Sequence, residues 1–295
     1  EKRKNKDIIL FNEKQAKSIK DLINEVKESN ATSAGITGGD LLLFLSRTIK
    51  YAKVLKKHFG KKFHIHIYIP TKLIKRSNLK ELSKYIDEIR FNPEFSSTNN
   101  KNVLDKDLKK IKLASLFWKK SNIGIELPMI PDRKQDFLEL IEKSKDLIGF
   151  VNLNEFELSE TNSKITTKKY ILNEGGYTIK DSIKSGLWLL NKIKSKKINL
   201  KIHLCTAELK NNHQFKNRLL RHKILPFGYR TKEGMVEYLI TNKKISSKDS
   251  YYDKKKKRTI LSEKLAKKIY KGNKVYLIEE FPTFDRIETE KQEIK

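Results

Sequence analysis

Gly38-Gly39-Asp40 ends a short apolar stretch, Ala31 to Thr37, and an amphipathic helix pattern follows at once. Two glycines remove side-chain bulk and permit positive φ, so a ligand can approach the backbone. The carboxylate can accept charge-assisted hydrogen bonds from an ammonium group. A strand that stops in such a turn reads as a ligand-binding element; a plain loop is the competing reading.

Polar residues recur in the later extended runs. On Phe63 to Ile69, His64, His66 and Tyr68 face one way and Ile65, Ile67 and Ile69 the other. Glu88, Arg90 and Asn92 share a face of the next run. Glu126 stands just before Leu127-Pro128, Asn152, Asn154 and Glu155 close a fifth run, and His203 and Cys205 share a face of a sixth. Strands buried on both faces should be apolar on both. Repeated polar residues on one face therefore predict a barrel or half-barrel with a wet, functional interior, its ligand end at the carboxyl ends of the strands. Each position also has a bland reading. His64, His66 and His203 could ligate a metal, be bonded core histidines, or line a ligand cavity. Arg90 needs an anionic partner, and Glu88, Glu126 or a ligand carboxylate could serve. Cys205 could be reactive or simply packed.

The elements that must position these residues alternate extended and helical patterns, which predicts βαβ units and a parallel sheet. Helices are expected at Glu13 to Ser29, Ser46 to Phe59 (capped by Ser46), Leu79 to Tyr85, Lys106 to Lys119, Asp132 to Lys145 (capped by Asp132), Thr166 to Asn173, Thr178 to Lys194 and His213 to Arg221. Strands are expected at Ala31 to Thr37, Phe63 to Ile69, Ile86 to Phe91, Ile123 to Leu127, Leu147 to Leu153 and Leu200 to Cys205. After Pro226 the pattern weakens. Strands at Met235 to Ile240 and Lys274 to Ile278, with a helix at Ser262 to Tyr270, suggest a small C-terminal α+β appendage, and Asp285 to Lys295 reads as a frayed tail. The division drawn is 1–225 and 226–295.

With 295 residues, 37 % of them apolar, the chain can bury a real core. It has no run of about 18 apolar residues for a membrane span and no secretory signal pattern. The single cysteine excludes an intrachain disulfide and any iron–sulfur cluster held by this chain's cysteines alone. Sixty-five basic residues against 36 acidic give a net charge of +29. That is the footprint of a polyanion binder, or a lysine-rich composition spread over solvated helix faces. Lys254 to Arg258 is the one dense basic run; a solvated loop competes with an anion contact there.

The Gly38-Gly39-Asp40 turn resembles the Gly-Gly-Glu-Pro element of the radical S-adenosylmethionine (radical SAM) enzymes, with Asp40 where Glu is usual and Leu41 where Pro is usual. In order and content, GITGGD, FHIHIYIP, DEIRFNP, GIELPMIP, VNLNEFELSETN, IHLC and QFKNRL resemble a group of mainly archaeal radical SAM proteins related to the pyruvate formate-lyase activating enzymes. The resemblance covers most of residues 7 to 225. It implies an α/β fold, a partial (βα) barrel of radical SAM type with the C-terminal appendage. It also implies a cytoplasmic enzyme that reductively cleaves S-adenosylmethionine at a 4Fe–4S cluster, generating a 5′-deoxyadenosyl radical, with an electron donor and a tRNA or protein substrate.

By position, Gly38, Gly39 and Asp40 would hold the methionine amino group. His66 and Tyr68 would lie near the ribose or sulfonium, Arg90 and Asn92 near the ribose or carboxylate, and Glu126 and Asn154 on the adenosine or substrate side. The adenine would rest around Leu127 to Ile130. The family's cluster-binding cysteine loop is absent, and Glu1 to Asp7 looks like the stretch that follows it. The expectation is an excerpt whose first barrel strand and cluster cysteines lie upstream of Glu1, inactive alone, with residues 31 to 37 as an open sheet edge. Two rivals come from other classes: a cluster-free, basic nucleic-acid-binding module on the same fold, and a metal-dependent hydrolase using His64, His66 and His203.

Overall fold

The computed structural model describes residues 8–98, 100–159, 162–174 and 176–294. They cluster into two compact units, one spanning 32–210 and the other joining 8–31 to 211–294. The opening segment Glu1 to Asp7 lies outside the described residues.

The chain enters through a hairpin of two short strands, β1 (Leu10–Phe11) and β2 (Lys14–Gln15), and helix α1 (Ile19–Glu28). The helix starts later than Glu13 because the hairpin precedes it and Ser18 caps it. The Ser18 hydroxyl accepts from the Asp21 N–H at 3.3 Å, and Asp21 Oδ2 accepts from the Ser18 N–H at 2.8 Å. This reciprocal pair satisfies two orphan amides and fixes the first turn.

The first unit is a six-stranded parallel sheet in the order β3 (Ser33–Ile36), β4 (His64–Pro70), β5 (Glu88–Asn92), β6 (Ile123–Met129), β7 (Phe150–Glu155), β8 (Lys201–Cys205). It curls into a half-barrel, in accord with the partial barrel expected. Among the described residues β3 pairs with β4 alone, so it is an open edge. The crossovers carry α2 (Leu45–Phe59), α3 (Arg76–Leu82), α4 (Lys101–Ala114), α5 (Lys134–Ser144), α6 (Ser163–Lys169) and α7 (Ser182–Ser195), and the short α8 (Ala207–Leu209) follows β8.

Alternation along the strands makes the core. Ile65, Ile67, Ile69, Ile89, Phe91, Ile125, Leu127, Val151 and Leu153 are all fully buried, together with Ala52 of α2, Leu104 of α4 and Phe137 of α5. Each buried large apolar side chain stabilises the unit by roughly 1.5–3 kcal/mol relative to exposure. The other sheet face carries the polar set.

Two caps differ from expectation. Ser46 lies inside α2: a 3₁₀ turn, Leu41–Phe44, precedes that helix, and Asp40 caps the turn by accepting from the Leu42 N–H at 3.0 Å. Asp132 likewise lies in a 3₁₀ turn before α5 and caps nothing. It accepts instead from Lys169 Nζ and the Tyr170 hydroxyl, both at 2.6 Å, holding the segment after β7 against the turn after β6. Burial raises the Asp132 pKa, but the bonds from Lys169 and Tyr170 outweigh it and hold the carboxyl below its usual value.

In the second unit, α9 (Lys216–Arg221) leads into an antiparallel sheet ordered β11 (Ser250–Asp253), β12 (Arg258–Leu261), β10 (Val236–Thr241), β13 (Tyr276–Glu280), β14 (Glu288–Glu293), with β9 (Tyr229–Arg230) beside β10. Helix α10 (Glu263–Ile269), capped by the Ser262 hydroxyl, contributes Ala266 to the core with Leu261 and Val275. The tail expected to fray forms β14, paired along β13. The basic run is the β11–β12 turn, and its last member, Arg258, is buried.

Candidate functional site

Parallel register sets the polar face of the half-barrel. Gly35 pairs with His66 and His66 with Glu88; Tyr68 pairs with Arg90, Arg90 with Gly124 and Gly124 with Phe150. Further toward the carboxyl ends, Glu126 pairs with Asn152 and Asn152 with His203, and Pro128 pairs with Asn154. At the end of β3, Gly38 has φ 108° and Gly39 φ 54°, and a Cβ on either would meet nothing within 4 Å. The glycines are required by conformation, and the space beside them is open. Asp40 Oδ1 holds the Leu42 amide.

Arg90 finds its anion on its own strand. Its Nε donates to Glu88 Oε1 at 2.6 Å and its Nη1 to the Tyr68 hydroxyl at 2.7 Å. Burial opposes the charge, but the Glu88 bond, Tyr68 and Glu126 outweigh it and raise the Arg90 pKa. Burial raises the Tyr68 pKa despite the adjacent guanidinium, so the phenol stays protonated. Since its oxygen accepts from Arg90, its proton is available to an acceptor on the face.

Glu126 accepts from Asn152 Nδ2 at 3.0 Å and Asn154 Nδ2 at 2.7 Å, one on each oxygen. The two amides are thereby turned so that each carbonyl oxygen remains an acceptor. Asn92 is exposed at the end of β5. Glu155 points to the opposite side, where its Oε2 accepts from the buried Ala207 amide at 2.8 Å.

His66 sits half-buried between His64 (ring centroids 6.0 Å apart) and Tyr68 (5.3 Å, edge to face). Burial, helped by Arg90, pushes its pKa down to about 4, so it is neutral at neutral pH. Its ¹H NMR resonances are therefore expected to titrate near pH 4. The Arg90→Gln variant should move that midpoint upward, because removing the neighbouring charge favours the imidazolium. A midpoint near the ordinary 6.5 in the parent protein would contradict the geometry.

Three residues of this face carry no sequence signal of their own. A Cβ on Gly35 would lie 2.6 Å from His66 Nε2, and one on Gly124 would lie 2.1 Å from the Phe150 ring. These glycines let His66 and Phe150 lie flat across the sheet, and Phe150 then reaches to 5.6 Å from the Arg90 guanidinium. Only the register reveals this role.

His203 is exposed on β8 and pairs with Asn152, four strands from His64 and His66 and nearer the carboxyl ends of the strands. The three-histidine constellation is therefore not assembled. Cys205 is buried at the end of β8. A cavity of about 640 Å³ lies in the second unit, beside α10 and lined by Phe227, Tyr229, Glu237, Leu239 and Tyr270. Its lining is mostly apolar, whereas the polar face of the first unit brings together bonded, register-matched polar groups and is the candidate site.

No family model matches the chain. Over 247 residues it is 32 % identical to a protein of Methanocaldococcus jannaschii described as a "Putative glycyl-radical enzyme activating enzyme". The match covers 80 % of this chain and 64 % of that relative.

Proposed function

The chain is a radical SAM relative, and from that premise we propose that its half-barrel binds S-adenosylmethionine at the carboxyl ends of the strands, as part of an enzyme of that family. The observation that carries this reading is the Gly38-Gly39-Asp40 turn. Two positive-φ glycines with open space around them close the edge strand, and a carboxylate follows at the ligand end of a parallel sheet.

In this reading the glycine turn admits the methionine moiety to the backbone, and Asp40 accepts from its amino group. Tyr68, steadied by Arg90, donates its hydroxyl proton to the ligand. The carbonyls of Asn152 and Asn154, turned outward by Glu126, accept from ribose hydroxyls or the adenine amino group, and Asn92 reaches in from the end of β5. Within Leu127 to Ile130 the adenine rests on the backbone and on Pro128 and Ile130, because Leu127 and Met129 are fully buried in the core. His66 lies one row further from the turn and is left out of this set. Bound at a reduced 4Fe–4S cluster, S-adenosylmethionine supplies hydrogen-abstracting radical chemistry. The residues present do not fit such a cluster, which needs three thiolates, because the one cysteine is buried on β8.

The relative's description supports a protein as substrate, and the net charge of +29 supports a polyanion such as tRNA. Among the described residues no helix is long and apolar enough to cross a membrane.

Equilibrium dialysis of the 295-residue chain with S-adenosylmethionine tests the binding reading. We expect saturable binding that Asp40→Ala weakens about 10- to 100-fold, as the loss of a hydrogen bond between charged groups requires. No binding, or binding indifferent to Asp40→Ala, would overturn it. RNA binding that falls steeply with salt, without S-adenosylmethionine binding, would instead favour the nucleic-acid module.

A further inference from the structure

The amino-terminal half of the polar face holds a second constellation, about 13 Å along β4 from the level of the glycine turn at the usual rise per residue. His64 and His66 stand two residues apart on β4 and face the same side. Glu88, the first residue of β5, is paired in register with His66. One donor atom from each of the three lies within 4.8 Å of the others, and His64 Nε2 is 3.9 Å from Glu88 Oε2. We propose that His64, His66 and Glu88 form a site for a divalent first-row transition-metal ion.

Three features support the assignment. First, two imidazoles and one carboxylate are the donor set preferred by zinc and its neighbours, whereas magnesium and calcium take oxygen donors. Second, the backbone is pre-set, since β4 is hydrogen-bonded on both sides, to β3 and to β5. Tetrahedral geometry with bonds of 2.0–2.1 Å places donors about 3.3 Å apart. Rotation of the half-exposed His64 side chain closes the remaining gap. Third, the surroundings orient the donors. Arg90 holds Glu88 by Oε1 and leaves Oε2 on the side of His64, as an outer partner does for a ligating carboxylate. Gly35, with no side chain, leaves room for the His66 ring. With three protein donors the fourth position is open to water or substrate. The site does not depend on the S-adenosylmethionine reading, because the glycine turn and Asp40 contribute nothing to it.

Cobalt(II) is the probe, titrated into the 295-residue chain and followed by its visible absorption, with zinc as competitor. We expect one equivalent to bind with ligand-field bands of a nitrogen and oxygen site, without the near-ultraviolet thiolate band that Cys205 would give. His64→Ala and Glu88→Gln should each weaken binding at least tenfold, and His203→Ala should leave it unchanged. His64 is half-exposed, so its removal leaves the core intact, and circular dichroism checks this directly. Substoichiometric binding, binding indifferent to His64→Ala, or binding lost with His203→Ala would overturn the proposal.

Discussion

Arg258→Met lowers the unfolding free energy by about 3–5 kcal/mol, the range for removing one partner from a buried ionic network. Arg258 is 3 % exposed, and the carboxylates around it, Asp253 and Glu280, are 3 % and 1 % exposed. Its guanidinium bonds Glu280 and, at 2.8 Å, Glu288, with Nε 3.4 Å from Asp253. Arg286 completes the network, at 2.7 Å from Asp253 and 2.6 Å from Glu280. Removing Arg258 leaves two buried carboxylates sharing one guanidinium, and that uncompensated charge outweighs the apolar surface the methionine buries. Arg258→Met with Glu280→Leu should recover part of the loss, because the remaining Arg286–Asp253 pair is balanced. Urea denaturation followed by circular dichroism gives both values; a single-variant loss below 1 kcal/mol would show that the network does not hold this sheet. The same network predicts acid sensitivity. Burial raises the Asp253 pKa, but the bond and charge of Arg286 pull it below the ordinary carboxylate value. Its contribution is therefore present above the unfolded pKa, near 3.9, and is lost as pH falls through that value toward the folded one.

Arg258 also marks where the sequence could and could not be read. Lys254 to Arg258 reads as a uniform solvated run, yet Lys257 has φ 53° in a hairpin turn and the residue after it turns inward. The residue type was the available signal, since Arg rather than Lys is suited to multidentate carboxylate contacts. Strand β14 was illegible for a different reason. Glu288–Glu293 is exposed on both faces and forms an edge, so it has no apolar period; backbone pairing to β13 and the Arg258–Glu288 bond define it. The parallel sheet was legible because one face of each strand is fully apolar, and the polar face was legible by the same alternation. The partners on that face were not, because they depend on register. Arg90 could equally have met Glu126, and the space that Gly35 leaves for His66 exists only because those two residues are paired. Ser46 and Asp132 are sound cap residues by type, but a 3₁₀ turn precedes each helix and displaces the start.

Asp107→Ala is expected to cost about 2–6 kcal/mol, because it orphans two buried donors at roughly 1–3 kcal/mol each, and to loosen the loops at the carboxyl ends of β4 and β5. Asp107 stands on the apolar face of α4 and is 2 % exposed. Its Oδ1 accepts from the Thr71 hydroxyl at 2.5 Å and its Oδ2 from the Phe95 amide at 2.8 Å. Since Thr71 donates to Asp107, its oxygen is free to accept, and it takes the Glu94 amide at 3.2 Å. One carboxylate thus ties the loop after β4 to the loop after β5, on either side of Pro70 and Asn92. Asp107→Asn should cost less, since one oxygen still accepts, but its NH₂ faces a donor. Thr71→Val removes one link only, and its effect should not add to that of Asp107→Ala, because both break the same chain of bonds. Denaturant midpoints for the three single variants and the Thr71→Val, Asp107→Ala pair test the coupling. Under the proposed function, the S-adenosylmethionine affinity of Asp107→Ala would also fall if Asn92 moves. Full additivity, or a loss under 0.5 kcal/mol for Asp107→Ala, would mean that the loops at the ligand end are held by their own turns and that the buried carboxylate is incidental to the site.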